Sequence, residues 1–149
     1  MKLYRPATIA DGFELIENIR DEDKAEVEAI GAKLSDVPQS LTLSEHPTAV
    51  INYKGELAGI AGVVRLSPIE GQIWMLCTHR VYDMKVGFFR QAKVWMEEVE
   101  TDYRLLWNLA DARNTMHHQL LKFLGFTNLR TVTTGPQSLP FYEIVRLCA

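Results

Sequence analysis

The sequence predicts an α+β domain, a mixed and mostly antiparallel sheet with helices on both faces. Three observations carry that expectation. Short apolar runs bounded by turn residues recur along the chain, as strands do. Between them lie stretches whose apolar residues return every three or four positions, as helices do. The two kinds alternate instead of segregating into separate halves. The predicted order is β-α-α-β-β-β-α-β-α-β-β, a single domain spanning 1–149.

Leu3-Tyr4-Arg5 reads as a short first strand. Thr8 is a good N-cap, and Asp11 three residues later makes a near capping box. Phe13, Ile16 and Ile19 mark one face of the helix that follows. Asp23 and Glu26 repeat the start signal, and Val27, Ile30 and Leu34 mark a second helix, in which Gly31 costs about 1 kcal/mol relative to alanine. The acidic run from Asp21 to Glu28 reads as a solvated helix face. Residues 35–47 hold two prolines and three serines and predict a surface loop. Two runs, 48–52 and 56–65, flank Lys54-Gly55 as a hairpin, and Gly59 and Gly62 suggest a bulge or a close backbone approach. After a turn at 68–71, residues 72–78 form a fourth strand. Phe88, Ala92, Trp95 and Val99 recur at helical spacing, which predicts an amphipathic helix over 87–100 with Trp95 more buried than Lys93 or Glu97.

Leu105 to Ala110 reads as a buried strand. Asn114 or Thr115 can cap the next helix. Met116, Leu120, Phe123 and Leu124 fall at helical spacing, and Gly125 is placed to end the helix in a left-handed conformation. Two last strands, near 127–132 and 141–147, are joined through Thr134-Gly135-Pro136.

Composition narrows the function classes. Hydrophobic residues make up 47% and charged residues 23%, a globular balance. A net charge of -3 argues against nucleic acid as the main partner, because phosphate binding needs a concentrated basic surface. The two cysteines, Cys77 and Cys148, stand in no metal-ligand spacing, so no metal is expected and a reduced, cytoplasmic protein is. Met1 to Thr8 lacks a hydrophobic signal region, and no apolar run approaches the roughly 20 residues of a membrane span. No Gly-x-Ser-x-Gly elbow supports hydrolase chemistry.

Several segments together resemble the GCN5-related N-acetyltransferase (GNAT) superfamily: the opening Arg5 to Asp11, the hairpin Tyr53 to Gly59, and the unit from Asn114 to Gly125-Phe126, all in that order. The resemblance covers nearly the whole chain. It implies an N-acetyltransferase that takes acetyl-CoA as co-substrate and an amine, on a small molecule or a protein, as acceptor. It implies that the fourth and fifth strands diverge near Thr78 and Ala110 to admit pantetheine. Backbone N–H groups around Leu76, Cys77 and Thr78 would polarise the thioester oxygen. The family holds the coenzyme's pyrophosphate on a loop with two well-placed glycines before a helix start. Here that loop, His79 to Phe88, has only Gly87, with Arg80 and Lys85 for charge and Asp83 as a repelling neighbour. Many members carry a tyrosine as general acid where this chain has Leu121.

These departures are similar to those in a narrower group, small GNAT-like proteins of tailed bacteriophages such as the internal virion proteins of T7-like podoviruses. That likeness implies the alternative, a catalytically silent GNAT-like module with a virion or assembly role and phage proteins as partners. A homodimer is compatible with either.

The candidate residues follow. His79 is a possible general base or a surface loop histidine. His117, sharing a face with Leu121 and Leu124, is an acid or substrate contact, or a partly buried histidine; His118 points to solvent. Asn114 caps the helix or bonds the pantetheine arm. Glu70 is a base or a turn residue. Cys77 is an acyl carrier or an inert small hydrophobe. Trp74, Trp95 and Trp107 are core or groove-lining residues.

Overall fold

The computed structural model describes residues 2–148. Seven strands form one sheet in the order β1-β2-β3-β4-β5-β7-β6. They are β1 (Tyr4–Pro6), β2 (Glu45–Ile51), β3 (Leu57–Arg65), β4 (Glu70–Cys77), β5 (Leu105–Asp111), β6 (Thr127–Thr134) and β7 (Leu139–Leu147). Neighbours are antiparallel except β4 and β5, which run parallel. The mixed, mostly antiparallel sheet expected from the sequence is therefore present. Gly62 serves a close approach, since a Cβ there would lie 2.8 Å from Ser44 Cβ. The β2–β3 register shift falls beside Gly59, between Val50 and Ile51.

Helices cover both faces. On one side α1 (Ile9–Asn18) and α3 (Val37–Leu43) pack around Leu15, Val37, Leu41, Leu57 and Ile60. On the other, α4 (Lys85–Val99) and α5 (Thr115–Phe123) pack around Phe88, Trp95, Val99, Leu106 and Leu120. The predicted stripe of α4 is buried in full, and Trp95 is 3% exposed while Lys93 and Glu97 face solvent. Gly125 (φ 87) terminates α5 as expected. No helix among the described residues is long and apolar enough to cross a membrane.

Three expectations change. The capping box of Thr8 and Asp11 forms, but α1 turns Gly12 and Leu15 inward and leaves Phe13 exposed. Gly12 sets that face: a Cβ there would sit 3.0 Å from Pro38 Cα, so α3 crosses α1 at this point. Residues 35–47 are not a loop but hold α3, with Pro38 in its first turn, where a missing N–H costs nothing. Val37, Pro38 and Leu41 are buried. Finally, α2 (Asp21–Ala29) is not simply a solvated acidic face. Asp23 is 0% exposed and Glu26 is half-buried, because a spacing of three puts both on the inward side.

Candidate active site

The two parallel strands form a fork. β4 and β5 pair only at Glu70↔Leu105, Gly71↔Leu106 and Gln72↔Trp107. Beyond that point β4 stays paired to β3 as far as Cys77, and β5 to β7 as far as Asp111. Each strand is thus held from its outer side while the inner edges separate, as the sequence led us to expect. Asn108 sits at the apex. Its Nδ2 donates to Ile73 O at 2.6 Å, and its Oδ1 accepts from Gln72 Nε2 at 3.2 Å and Leu109 N at 2.7 Å. A side-chain amide replaces the next rung of the ladder.

The mouth of the fork is filled by the chain itself. Ile19 forms an antiparallel bridge with Thr78, and Arg20 N donates to Cys77 O at 3.0 Å. Cys77 N donates to Asp23 Oδ2 at 2.7 Å. The connection from α1 to α2 therefore lies along the free edge of β4 like a very short extra strand. Behind it is a buried polar network. Asp23 Oδ1 accepts from Arg20 Nη2 and from Asn114 Nδ2, each at 2.8 Å. Asn114 Oδ1 accepts from Arg20, and its Nδ2 also donates to Glu26 Oε1 at 2.7 Å. Glu26 Oε2 accepts from Asp111 N at 2.8 Å. His117 completes the set, with Nε2 3.3 Å from Asp23 Oδ1 and 3.9 Å from Cys77 Sγ, and Nδ1 3.6 Å from Glu26 Oε1.

Electrostatics follow from the packing. Burial alone would push the His117 imidazole down, but the charge and hydrogen bond of Asp23, with help from Cys77 and Glu26, raise its pKa well above 6.5. Burial would likewise push Asp23 up, but His117 and Arg20 hold its carboxyl below the usual carboxylate range. Burial raises the Cys77 thiol, which keeps it protonated. Asp23, Cys77 and His117 offer ligand atoms within 4.8 Å of one another, close enough to share a metal ion. In this arrangement the Asp23 oxygens are spent on donors from Arg20, Asn114, His117 and Cys77, and cationic Arg20 balances the charge.

Behind the mouth lies a cavity of about 360 Å³ between the diverging strands, reaching both faces of the sheet. Trp74 and Leu76 line it from the α1–α3 side, and Met75, Leu121 and Trp95 from the α4–α5 side.

The sequence-predicted residues divide by position. Asn114, Cys77 and His117 converge at the mouth. Asn114 is the N-cap of α5, but its side chain makes no cap bond and is given over to Arg20, Asp23 and Glu26. Of the three amides at Leu76, Cys77 and Thr78, only that of Cys77 faces the fork. Thr78 N donates to Ala58 O, and Leu76 pairs with Ile60, both in β3. His79 is exposed, 3.3 Å from Asn18 O. Arg80 Nε lies 3.4 Å from Glu56 Oε2, while its Nη1 is buried with no hydrogen-bond partner among the described residues. Lys85 is exposed at the start of α4, and Gly87 lies in its first turn, where an added Cβ would meet only Met84 Cε at 4.0 Å. Glu70 begins β4, seven residues and so about 23 Å along the strand from Cys77. His118 is not solvated: it is half-buried, with Nε2 2.7 Å from Asp111 O.

Arg20, Asp23, Glu26 and Asn108 were missed. One signal was available for the first three. Apart from two alanines, α2 has Val27 as its only apolar residue, so a helix that must pack has to do so through polar groups.

A fork between two parallel strands in an otherwise antiparallel sheet, with a helix starting behind it, defines the GNAT fold, and this chain has that fold. Among solved structures it is similar to Ard1 from Thermoplasma volcanium (TM-score 0.77, 15% identity, 98% of this chain and 97% of that one). It is also similar to a ribosomal-protein-alanine N-acetyltransferase from Brucella melitensis (TM-score 0.74, 18% identity, 97% and 99%). A third is a GNAT superfamily phosphinothricin acetyltransferase from Sinorhizobium meliloti, solved in complex with AcCoA (TM-score 0.76, 13% identity, 98% and 88%). No protein-family model matches the sequence, and no curated protein matches it significantly.

Proposed function

We propose that this chain is an acyl-CoA-dependent N-acetyltransferase that passes an acetyl group to an amine. The β4–β5 fork, with Asn114 and the Cys77 amide at its mouth, carries the proposal. In this mechanism the amine nitrogen attacks the thioester carbonyl, the C–S bond breaks and the thiolate leaves. The Cys77 N–H is the amide aimed where the carbonyl oxygen must sit, and it becomes available when Asp23 releases it. His117, held cationic, cannot take a proton from the amine but can donate one to the departing sulfur, the role that Leu121 cannot fill. Removing the amine's proton falls to water or to His79 on the adjacent turn. At the start of α4, the first-turn amides with Lys85 and Gly87 suit a phosphate, and Arg80 adds positive charge from the preceding turn.

A second reading has its own observation. Asp23 and Arg20 already satisfy both the N–H and the C=O of Cys77, as a catalytically silent module with an assembly role would allow. Calorimetric titration with acetyl-CoA separates the two. An acetyltransferase with one loop glycine should bind in the micromolar to millimolar range, roughly -8 to -4 kcal/mol, and more weakly at high salt because exposed charges are screened. Undetectable binding at millimolar acetyl-CoA would leave the silent module.

A further inference from the structure

Three side chains at the mouth are ordinary ligands for a divalent cation, and they already face one another. Asp23 Oδ1, Cys77 Sγ and His117 Nε2 converge within 4.8 Å, with Nε2 3.3 Å from Oδ1 and 3.9 Å from Sγ. Tetrahedral zinc holds nitrogen and oxygen at about 2.1 Å and sulfur at about 2.3 Å, which sets N and O about 3.4 Å apart and N and S about 3.6 Å apart. The N–O separation fits as it stands, and the N–S separation is about 0.3 Å long by that measure. No motif spacing marks the site, because its ligands come from α2, β4 and α5.

The groups around the three have the form of an outer shell. His117 Nδ1 faces Glu26 Oε1 at 3.6 Å, which leaves Nε2 turned toward Asp23 and Cys77. Metal-bound histidines ordinarily have such a carboxylate at the other ring nitrogen. Asp23 is fixed by Arg20 Nη2 and Asn114 Nδ2 on Oδ1 and by Cys77 N on Oδ2, as ligating carboxylates usually are. The charges match as well. A Cys77 thiolate and the Asp23 carboxylate balance the two charges of the ion, and Glu26 balances Arg20, so no net charge is buried. The thiol is otherwise little used: its hydrogen-bond partner among the described residues is His117, at 3.9 Å. An ion also has a way in, since His117 and Glu26 line the cavity between the parting strands, and exposed Lys33 and Asp36 line its outer end.

We propose that Asp23, Cys77 and His117 bind one zinc ion, which displaces the His117 Nε2 proton and the Cys77 thiol proton to water and pins α2 to β4 and α5. Three protein ligands leave the fourth corner to a water molecule. The metal-free network at the mouth is the other state of the same residues. The site does not rest on acetyl transfer; on the acetyltransferase reading its loaded form is inactive, because His117 then has no proton to donate.

Cobalt(II) is the probe, titrated into chelator-treated, reduced protein, with zinc as the competitor. One equivalent of cobalt should give a thiolate-to-cobalt charge-transfer band in the near ultraviolet. Zinc should abolish the band and raise the unfolding midpoint. Cys77→Ser should lose the band and Cys148→Ser should keep it. Glu26→Gln, beside the ligand histidine, should weaken cobalt binding roughly tenfold. In the wild-type protein, cobalt should broaden the amide NMR signals of Cys77 and Asn114 and spare that of His46, and this measurement decides should Cys77→Ser not fold. No charge-transfer band at millimolar cobalt would overturn the proposal. So would a band that survives Cys77→Ser, or broadening centred on the His46–Asp102 pair at the surface.

Discussion

The mouth of the fork and the cavity behind it lie within a few residues of each other on the same two strands, yet they are built on opposite terms. At the mouth, Cys77 and Asp111 meet a buried network of charges in which nearly every donor has an acceptor. Two residues deeper, Met75 and Ala110 border a space walled largely by apolar side chains, with Gln72 and Asn108 as polar groups where the strands begin to part. The difference shows two ways of treating strands that part. Where they separate widely, β4's exposed backbone must find hydrogen bonds, and an adjacent segment supplies them. Where they have only begun to separate, Asn108 satisfies the apex and side chains do the rest.

The sharpest way to break that contrast is Asp23→Ala. It leaves the Arg20 guanidinium, 3% exposed, and cationic His117 without their shared anion. Removing one partner of a buried charge network typically costs roughly 3–5 kcal/mol, which urea unfolding would measure. A loss below about 1 kcal/mol, of the size expected for surface ion pairs, would mean that the network is open to water. Leu120→Ala, in the cavity wall, should cost less, about 2–3 kcal/mol, because the space it enlarges already exists and the main loss is apolar contact. If the two costs came out reversed, packing around the cavity would dominate the stability of the fork.

The smallest effect is the most specific in sign. The His117 pKa is raised on folding, so its contribution to stability is full below the unfolded value near 6.5 and is lost as pH rises through the higher folded value. Asp23, lowered from 3.8, contributes above that value and loses its contribution as pH falls through the lower folded one. Thermal unfolding should therefore show stability declining on the alkaline side of about pH 6.5, and His117→Gln should flatten that limb and also shrink the acid limb, where Arg20 alone would then hold the Asp23 carboxyl low. An unchanged alkaline limb in the variant would remove His117 from the account.

Much of this molecule was legible in the order of its residues. Strand and helix periods gave the element sequence, and Phe88, Ala92, Trp95 and Val99 marked the buried face of α4. Thr8 with Asp11 capped α1, and Gly125 ended α5, because these signals act over three or four residues and need nothing distant. Even Asn114 stood out as a turn residue. What it bonds did not, because its partners Arg20, Asp23 and Glu26 are about ninety residues away in sequence. A charged residue looks the same in a sequence whether it faces water or a partner, so the acidic turn of α2 read as solvated. Only when the sheet brought β4, β5 and α5 against that turn did burial turn its charges into a network. The same assembly left the cavity behind it, since a void belongs to the space between elements and not to any one of them.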